Sequence, residues 1–226
     1  MLWQLIFFEE LVGRLPASCR AELKGSTLTP AQVDAWSDLD LRLWLGESLD
    51  LEVVLGPSSI WAFDEAMDSR GQVVRVVLVD GRRVDLSVEG PGRLITRSPV
   101  ESNSFRFLAA QAAVKLARGD RLIGLHLLLE LCRLCLVQAM VWRDRESGTT
   151  VHRYGTARDG LAVEVQGLLE LPLTVTPRPN AVESAAALYD RWRQVLDPDY
   201  RPDWSGLDAL LDRGTAPARK TAASGS

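Results

Sequence analysis

Ser37-Asp38-Leu39-Asp40-Leu41-Arg42-Leu43-Trp44-Leu45 decides the reading of this chain. Leu39, Leu41, Leu43 and Leu45 recur at a period of two, so they share one face of an extended segment. Asp38, Asp40, Arg42 and Trp44 share the other face. The pattern predicts a half-buried strand that carries two carboxylates away from the core, two residues apart.

Working outward, Val73–Val79 is apolar and β-branched, and Asp80-Gly81 reads as a type I′ hairpin turn. Arg82–Glu89 then alternates again. Val84, Leu86 and Val88 are expected to face the core, and Arg83, Asp85, Ser87 and Glu89 to face away from it. Asp85 would thus lie on the polar face of a strand near Asp38 and Asp40. Gly90-Pro91-Gly92 ends this strand. Upstream, eleven residues separate Gly25-Ser26 from Asp38. Glycine permits close backbone approach, and a serine hydroxyl with nearby N–H groups can hold phosphate. A helix is expected over residues 3–15, closed by Pro16, and a short helix or turn over 59–69.

Past residue 98 the chain becomes mostly helical. Ser102 and Asn103 can cap a helix running to about Arg118, an Arg-Gly-Asp turn leads to a second helix over 121–145, and Asn180 with Glu183 can cap a third over 181–196. The small, polar stretch Thr215–Ser226 is expected to be disordered. The fold class is therefore α+β. A mixed sheet with flanking helices is expected over residues 1–98 and a helical bundle over 99–214.

The 226 residues suffice for one large domain or two small ones with a substantial core. The net charge of −4 and pI near 5.3 give no broad basic field, so no extended nucleic-acid partner is expected. The apolar stretch 122–141 contains His126, Glu130 and Arg133, and is read as a buried helix, with no membrane partner. Three cysteines are too few for a disulfide framework, which suits a reducing cytoplasm. Cys132 and Cys135 form a C-x-x-C without a second pair and are read as small apolar thiols in a buried helix.

Carboxylates in this pattern suit one chemistry. Nucleotide transfer needs the polyphosphate held, its charge met by a metal, and an acceptor hydroxyl activated. Magnesium prefers oxygen ligands, commonly a few carboxylates with phosphates and water. Asp38, Asp40 and Asp85 can supply the carboxylates, and Gly25 and Ser26 the phosphate contact.

Gly25-Ser26, Ser37-Asp38-Leu39-Asp40-Leu41 and Asp80-Gly81-Arg82-Arg83-Val84-Asp85-Leu86 resemble the signature of the DNA polymerase β-like nucleotidyltransferase superfamily. Within it, they are most similar to bacterial aminoglycoside 6-adenylyltransferases. Asn103-Ser104-Phe105 and Lys115-Leu116-Ala117-Arg118 resemble that family's first C-terminal helix, and the resemblance covers about residues 20–145. It implies that AMP passes from ATP or another nucleoside triphosphate to a hydroxyl of a small molecule such as an aminoglycoside, a reaction of antibiotic resistance. Asp38, Asp40 and Asp85 would be both the catalytic residues and the magnesium ligands, and Asp85 could also take the hydroxyl proton. Gly25, Ser26 and Lys115 would meet the nucleotide, and Glu89 and Glu130 the acceptor. Thr27 stands where the family carries Arg or another polar group, Arg106-Phe107 replaces an aromatic pair, and the helical half is short. These departures leave nucleotide transfer intact and bear on the antibiotic acceptor. Two other functions fit the same residues: AMP transfer to a protein, of the toxin–antitoxin type, and a nucleotide-binding module without turnover.

Several side chains carry two readings each. His126, Glu130 and Arg133 form a polar stripe that is either a cleft wall or a modest surface network. Trp44 either stacks on a base or rims the sheet. Arg42 is expected to pair with the aspartates when no metal is present.

Overall fold

Leu39–Leu45 forms β2, and its leucines are fully buried while Arg42 and Trp44 are exposed. A computed structural model describes residues 2–29, 33–68, 71–171, 173 and 180–215. The chain is mixed α+β. A five-stranded sheet has the order β1-β2-β6-β5-β4, built from β1 (Cys19–Leu23), β2, β4 (Ile60–Asp68), β5 (Gly71–Leu78) and β6 (Arg83–Glu89). β2 and β6 run parallel and the other pairings are antiparallel. A two-stranded pair, β3 (Leu49–Asp50) and β7 (Leu94–Ile95), sits apart from it. The helices are α1 (Trp3–Val12), α2 (Leu51–Leu55), α3 (Asn103–Ala117), α4 (Arg121–Ser147), α5 (Leu161–Leu169), α6 (Asn180–Leu196) and α7 (Ser205–Thr215).

The two faces of the sheet meet two different cores. The leucine face of β2, with Val84, Leu86 and Val88 of β6, packs on Phe7 and Leu11 of α1 and on Leu51, Val54 and Leu55 of α2. At one end of the opposite face, Trp61, Ala62 and Val77 join a second core built from α3 to α7. The helices therefore rest on the face that carries the aspartates, and they cover one end of it.

The segment 59–69, expected as a short helix or turn, is instead strand β4. Its alternation is hidden for a physical reason. A register shift between Ile60 and Ala62 puts Ile60 and Phe63 in the first core, while Trp61 and Ala62 enter the second. Both sides are apolar there, so no period of two remains in the sequence.

The β5–β6 turn also differs from expectation. No non-glycine residue has positive φ among those described, whereas type I′ requires it at both central positions. Gly81 alone is left-handed, at φ 78°. Its N–H donates to the Leu78 carbonyl and the Leu78 N–H donates to the Arg82 carbonyl, both at 2.9 Å. This is a type I turn with a glycine bulge.

Ser102 stands at the α3 N-cap but makes no side-chain cap bond. Asn103 instead bonds to the edge strand: its Oδ1 accepts from the Phe63 N–H (3.0 Å) and its Nδ2 donates to the Phe63 carbonyl (2.8 Å). One buried amide thus supplies the pairing that a further strand would give. The side chain of Asn180 and residues 216–226 lie outside the described residues, and with them the third helix's capping pair and the polar tail.

α4 is the one helix among the described residues long and apolar enough to cross a membrane by length and composition. Its inner face, with Leu128, Leu131, Cys132, Cys135 and Ala139, is buried in the second core. Burial pushes the Cys135 thiol up to about 12, and the neighbouring Cys132 adds to this. The expected buried helix is therefore buried on one side only, since Leu122, Leu129 and Met140 are exposed.

Candidate active site

Register places the aspartates. Asp40 of β2 lies directly opposite Asp85 of β6, so both project from the same face. Arg75 of β5 stands opposite Asp85, and Asp64 of β4 opposite Arg75. On the other flank Lys24 continues β1, and its N–H donates to the Asp40 carbonyl at 2.9 Å. A row of charge therefore crosses the sheet: Lys24, Asp40, Asp85, Arg75, Asp64. Arg75 pairs with Asp64 at 3.4 Å and with Asp85 at 3.7 Å.

Gly25 closes on this row from the strand end. It is left-handed at φ 61°, and a Cβ added there would stand 2.1 Å from Asp40 Oδ2. The backbone of Gly25 thus lies against the Asp40 carboxylate, a spacing only glycine allows. Ser26 follows in a short 3-10 turn, Gly25–Leu28, and its carbonyl accepts from the Thr29 N–H at 2.9 Å. Thr27 is buried, with a hydroxyl that meets no partner.

Asp38 precedes β2 and pairs with Arg83 at 3.1 Å. Arg83 also donates to the Trp36 carbonyl at 2.8 Å and is only 5% exposed. It was expected to point away from the core and does leave from that face, but its guanidinium is buried against the Trp36 carbonyl and Asp38. Arg42, expected to pair with the aspartates, reaches Glu89 at 3.2 Å and Glu22 at 3.9 Å instead. It sits one row further along the sheet, opposite Glu22 on β1 and Ser87 on β6, with Glu89 on the diagonal.

The carboxylates feel burial and one another. Burial, then the Asp38 charge, raise the Asp85 carboxyl from its ordinary 3.8 to about 7; Arg83 and Arg75 pull the other way. Burial and then Asp38 also raise Asp40, against Lys24 and Arg83.

The donor set is oxygen only and suits magnesium. Asp40 and Asp85 come from adjacent parallel strands, and the Gly25 backbone lies against the Asp40 carboxylate. Among the described residues, however, no three His, Cys, Asp or Glu side chains already converge as a ligand set, because Asp38 is turned onto Arg83.

The remaining candidates separate. Lys115 pairs with Asp120 at 3.4 Å and is not drawn to the aspartates. The basic side chain that α3 brings to the Asp38 loop is Arg118. It grips Asp34 with two hydrogen bonds (3.1 and 2.7 Å) and reaches Ser37 Oγ at 3.1 Å. Lys115 and Arg118 are both basic residues near one helix end, so sequence spacing did not distinguish them.

Glu89 lines a groove of about 170 Å³ with Lys24, Arg42, Val73 and Ser87, next to the aspartate row. Glu130 is bonded to Arg133 at 2.7 Å on α4. Arg133, without Glu130, borders a larger cleft of about 560 Å³ along β4, together with Asp64, Glu65, Asn103 and Phe107. Trp44 lies under the Arg20 guanidinium, 5.5 Å from its ring centre. No protein-family model matches the chain, and no curated protein matches it.

Proposed function

We propose that the chain is a magnesium-dependent nucleotidyltransferase of the DNA polymerase β-like kind, with an N-terminal catalytic half and a C-terminal helical half. The observation that carries this reading is the meeting of Gly25 with Asp40, and of Asp40 with Asp85, on one sheet face. Asp40, Asp85 and Asp38 would hold the metal, with Asp38 exchanging Arg83 for it. Magnesium, when bound, neutralises polyphosphate charge as the α-phosphate is attacked. Gly25 and Ser26 meet the phosphates through backbone and hydroxyl. The acceptor oxygen forms a new ester bond to the α-phosphorus, the bond to the β-phosphate breaks, and pyrophosphate leaves. The hydroxyl proton goes to an Asp85 carboxylate oxygen, whose burial makes it a stronger base.

The acceptor is a hydroxyl-bearing small molecule, with aminoglycosides first among the candidates. A cationic acceptor would take the place of Arg42 at Glu89 and Glu22, and of Arg75 at Asp64, on the same face. A second reading, a nucleotide-binding module without turnover, is favoured by the Arg83–Asp38 pair, which occupies one carboxylate.

The test is transfer of α-phosphate label from each of the four nucleoside triphosphates, with magnesium, to an aminoglycoside panel. Label on a small molecule, with pyrophosphate released, supports the proposal. Label on a protein supports the AMP-adding variant. Nucleotide binding without transfer supports the module, and no binding at all removes the whole reading.

A further inference from the structure

α4 is apolar on its outer side as well as its inner one. Leu128, Leu131, Cys132, Cys135 and Ala139 face the core. On the opposite side, Leu122 is 87% exposed, Leu129 46% and Met140 45%, with Ile123 and Val141 on the flank. At 3.6 residues per turn, Leu122, His126, Leu129, Arg133 and Met140 fall in one stripe along the solvent side. On that side exposed apolar residues flank a polar centre of His126, Glu130 and Arg133, and apolar side chains this exposed call for a partner.

We propose that this stripe is a homodimer interface, formed by α4 packing antiparallel on α4 of a second copy about a two-fold axis between residues 131 and 132. The charges carry the choice of partner. The charged residues of the stripe and its flank, Glu130 and Arg133, already pair at 2.7 Å within one helix. A two-fold at that point brings Glu130 of each copy against Arg133 of the other, which closes a ring of four charges. The same operation sets Leu122 against Val141, Ile123 against Met140 and His126 against Val137, and brings Leu129 to Leu134, which is itself partly packed on the second core. Apolar positions therefore meet apolar ones toward both ends of the helix and opposite charges meet at its middle, as a self-complementary interface requires. A charge pair at the middle of the stripe disfavours a lipid surface, which would leave it in the apolar layer.

The test uses the full chain in sedimentation velocity. The parent protein should sediment at twice its 24.9 kDa mass. Glu130→Arg places four cations on the axis and Arg133→Glu four anions, so each variant should sediment as a monomer at concentrations where the parent is dimeric. Both residues are exposed, and circular dichroism checks that the helices persist. A one-to-one mixture of the two variants restores opposite charges across the axis, and should return to the dimeric mass. A monomeric parent, dimeric single variants, or a mixture that stays monomeric would each overturn the proposal. Co-sedimentation of a monomeric parent with phosphatidylcholine–phosphatidylglycerol vesicles would assign the stripe to lipid instead.

Discussion

Gly25 and Asp40 are in contact through a backbone that has no side chain to give: a Cβ on residue 25 would stand 2.1 Å from the Asp40 carboxylate oxygen. The first prediction follows from that pair. Gly25→Ala must move the carboxylate or the turn, and it also places a side chain at φ 61°, costing roughly 1–2 kcal/mol. Its expected effect is a modest drop in thermal midpoint with a much larger loss of nucleotide affinity. Isothermal titration beside a melting curve separates the two, and unchanged affinity would remove Gly25 from the site.

Asp40→Asn tests the chemistry. The side chain is on the polar face, and burial with the Asp38 charge already disfavours its ionised form. The neutral amide should leave the fold as stable or slightly more so. Transfer should fall by at least about a hundredfold, since an amide neither balances nor orients a divalent cation. Turnover close to the parent's would end the metal role assigned to this residue.

Asp85 gives a pH dependence with a definite sign. Its carboxyl is raised from 3.8 to about 7 in the folded protein. A raised folded value adds stability below the unfolded value, and that contribution is lost as pH rises through the folded one. Between about pH 4 and 7 the metal-free protein should therefore lose stability from this group, with a slope of at most about 1.4 kcal/mol per pH unit. Asp85→Asn removes that slope. Denaturant titrations in chelator should show the variant gaining on the parent as pH rises to 7 and levelling off above it. A constant difference across that range would contradict the assignment.

Asn103 carries a stability prediction that is independent of catalysis. Asn103→Ala leaves the Phe63 N–H and carbonyl without their partners on a buried edge, at a cost of about 2–3 kcal/mol. Asn103→Asp retains an acceptor for the N–H but loses the donor, so it should fall between the two. Urea midpoints in the order Asn, Asp, Ala check this.

What the sequence made legible follows its periodicity. β2 and β6 were readable because one face of each is buried and the other is polar, and register then brought Asp40 opposite Asp85. β4 was not, because Trp61 and Phe63 enter different cores and no polar face marks the strand there. Arg83 looked like a surface residue by alternation; it is buried, and its partners, the Trp36 carbonyl and Asp38, come from a loop far back in the sequence. The choice of Arg118 over Lys115 depends on where Asp34 and Ser37 fall in space, which local spacing does not encode. The outer face of α4 was read as buried because an apolar sequence does not say how many of its sides are covered.

The helix α7 lies far along the chain, yet it closes against the first half of the molecule. Added Cβ atoms on Gly206 and Gly214 would strike the rings of Trp61 and Trp36, and one on Gly81 would strike the backbone of Leu210. Arg213 lies over the Trp3 ring, 5.4 Å from its centre. During synthesis Trp36 and Trp61 are made first, and their contacts with α7 form only when a segment more than a hundred residues later is made. Substitutions at Gly206 or Gly214 should therefore be felt as lost stability between the two ends of the chain before they reach the aspartate row.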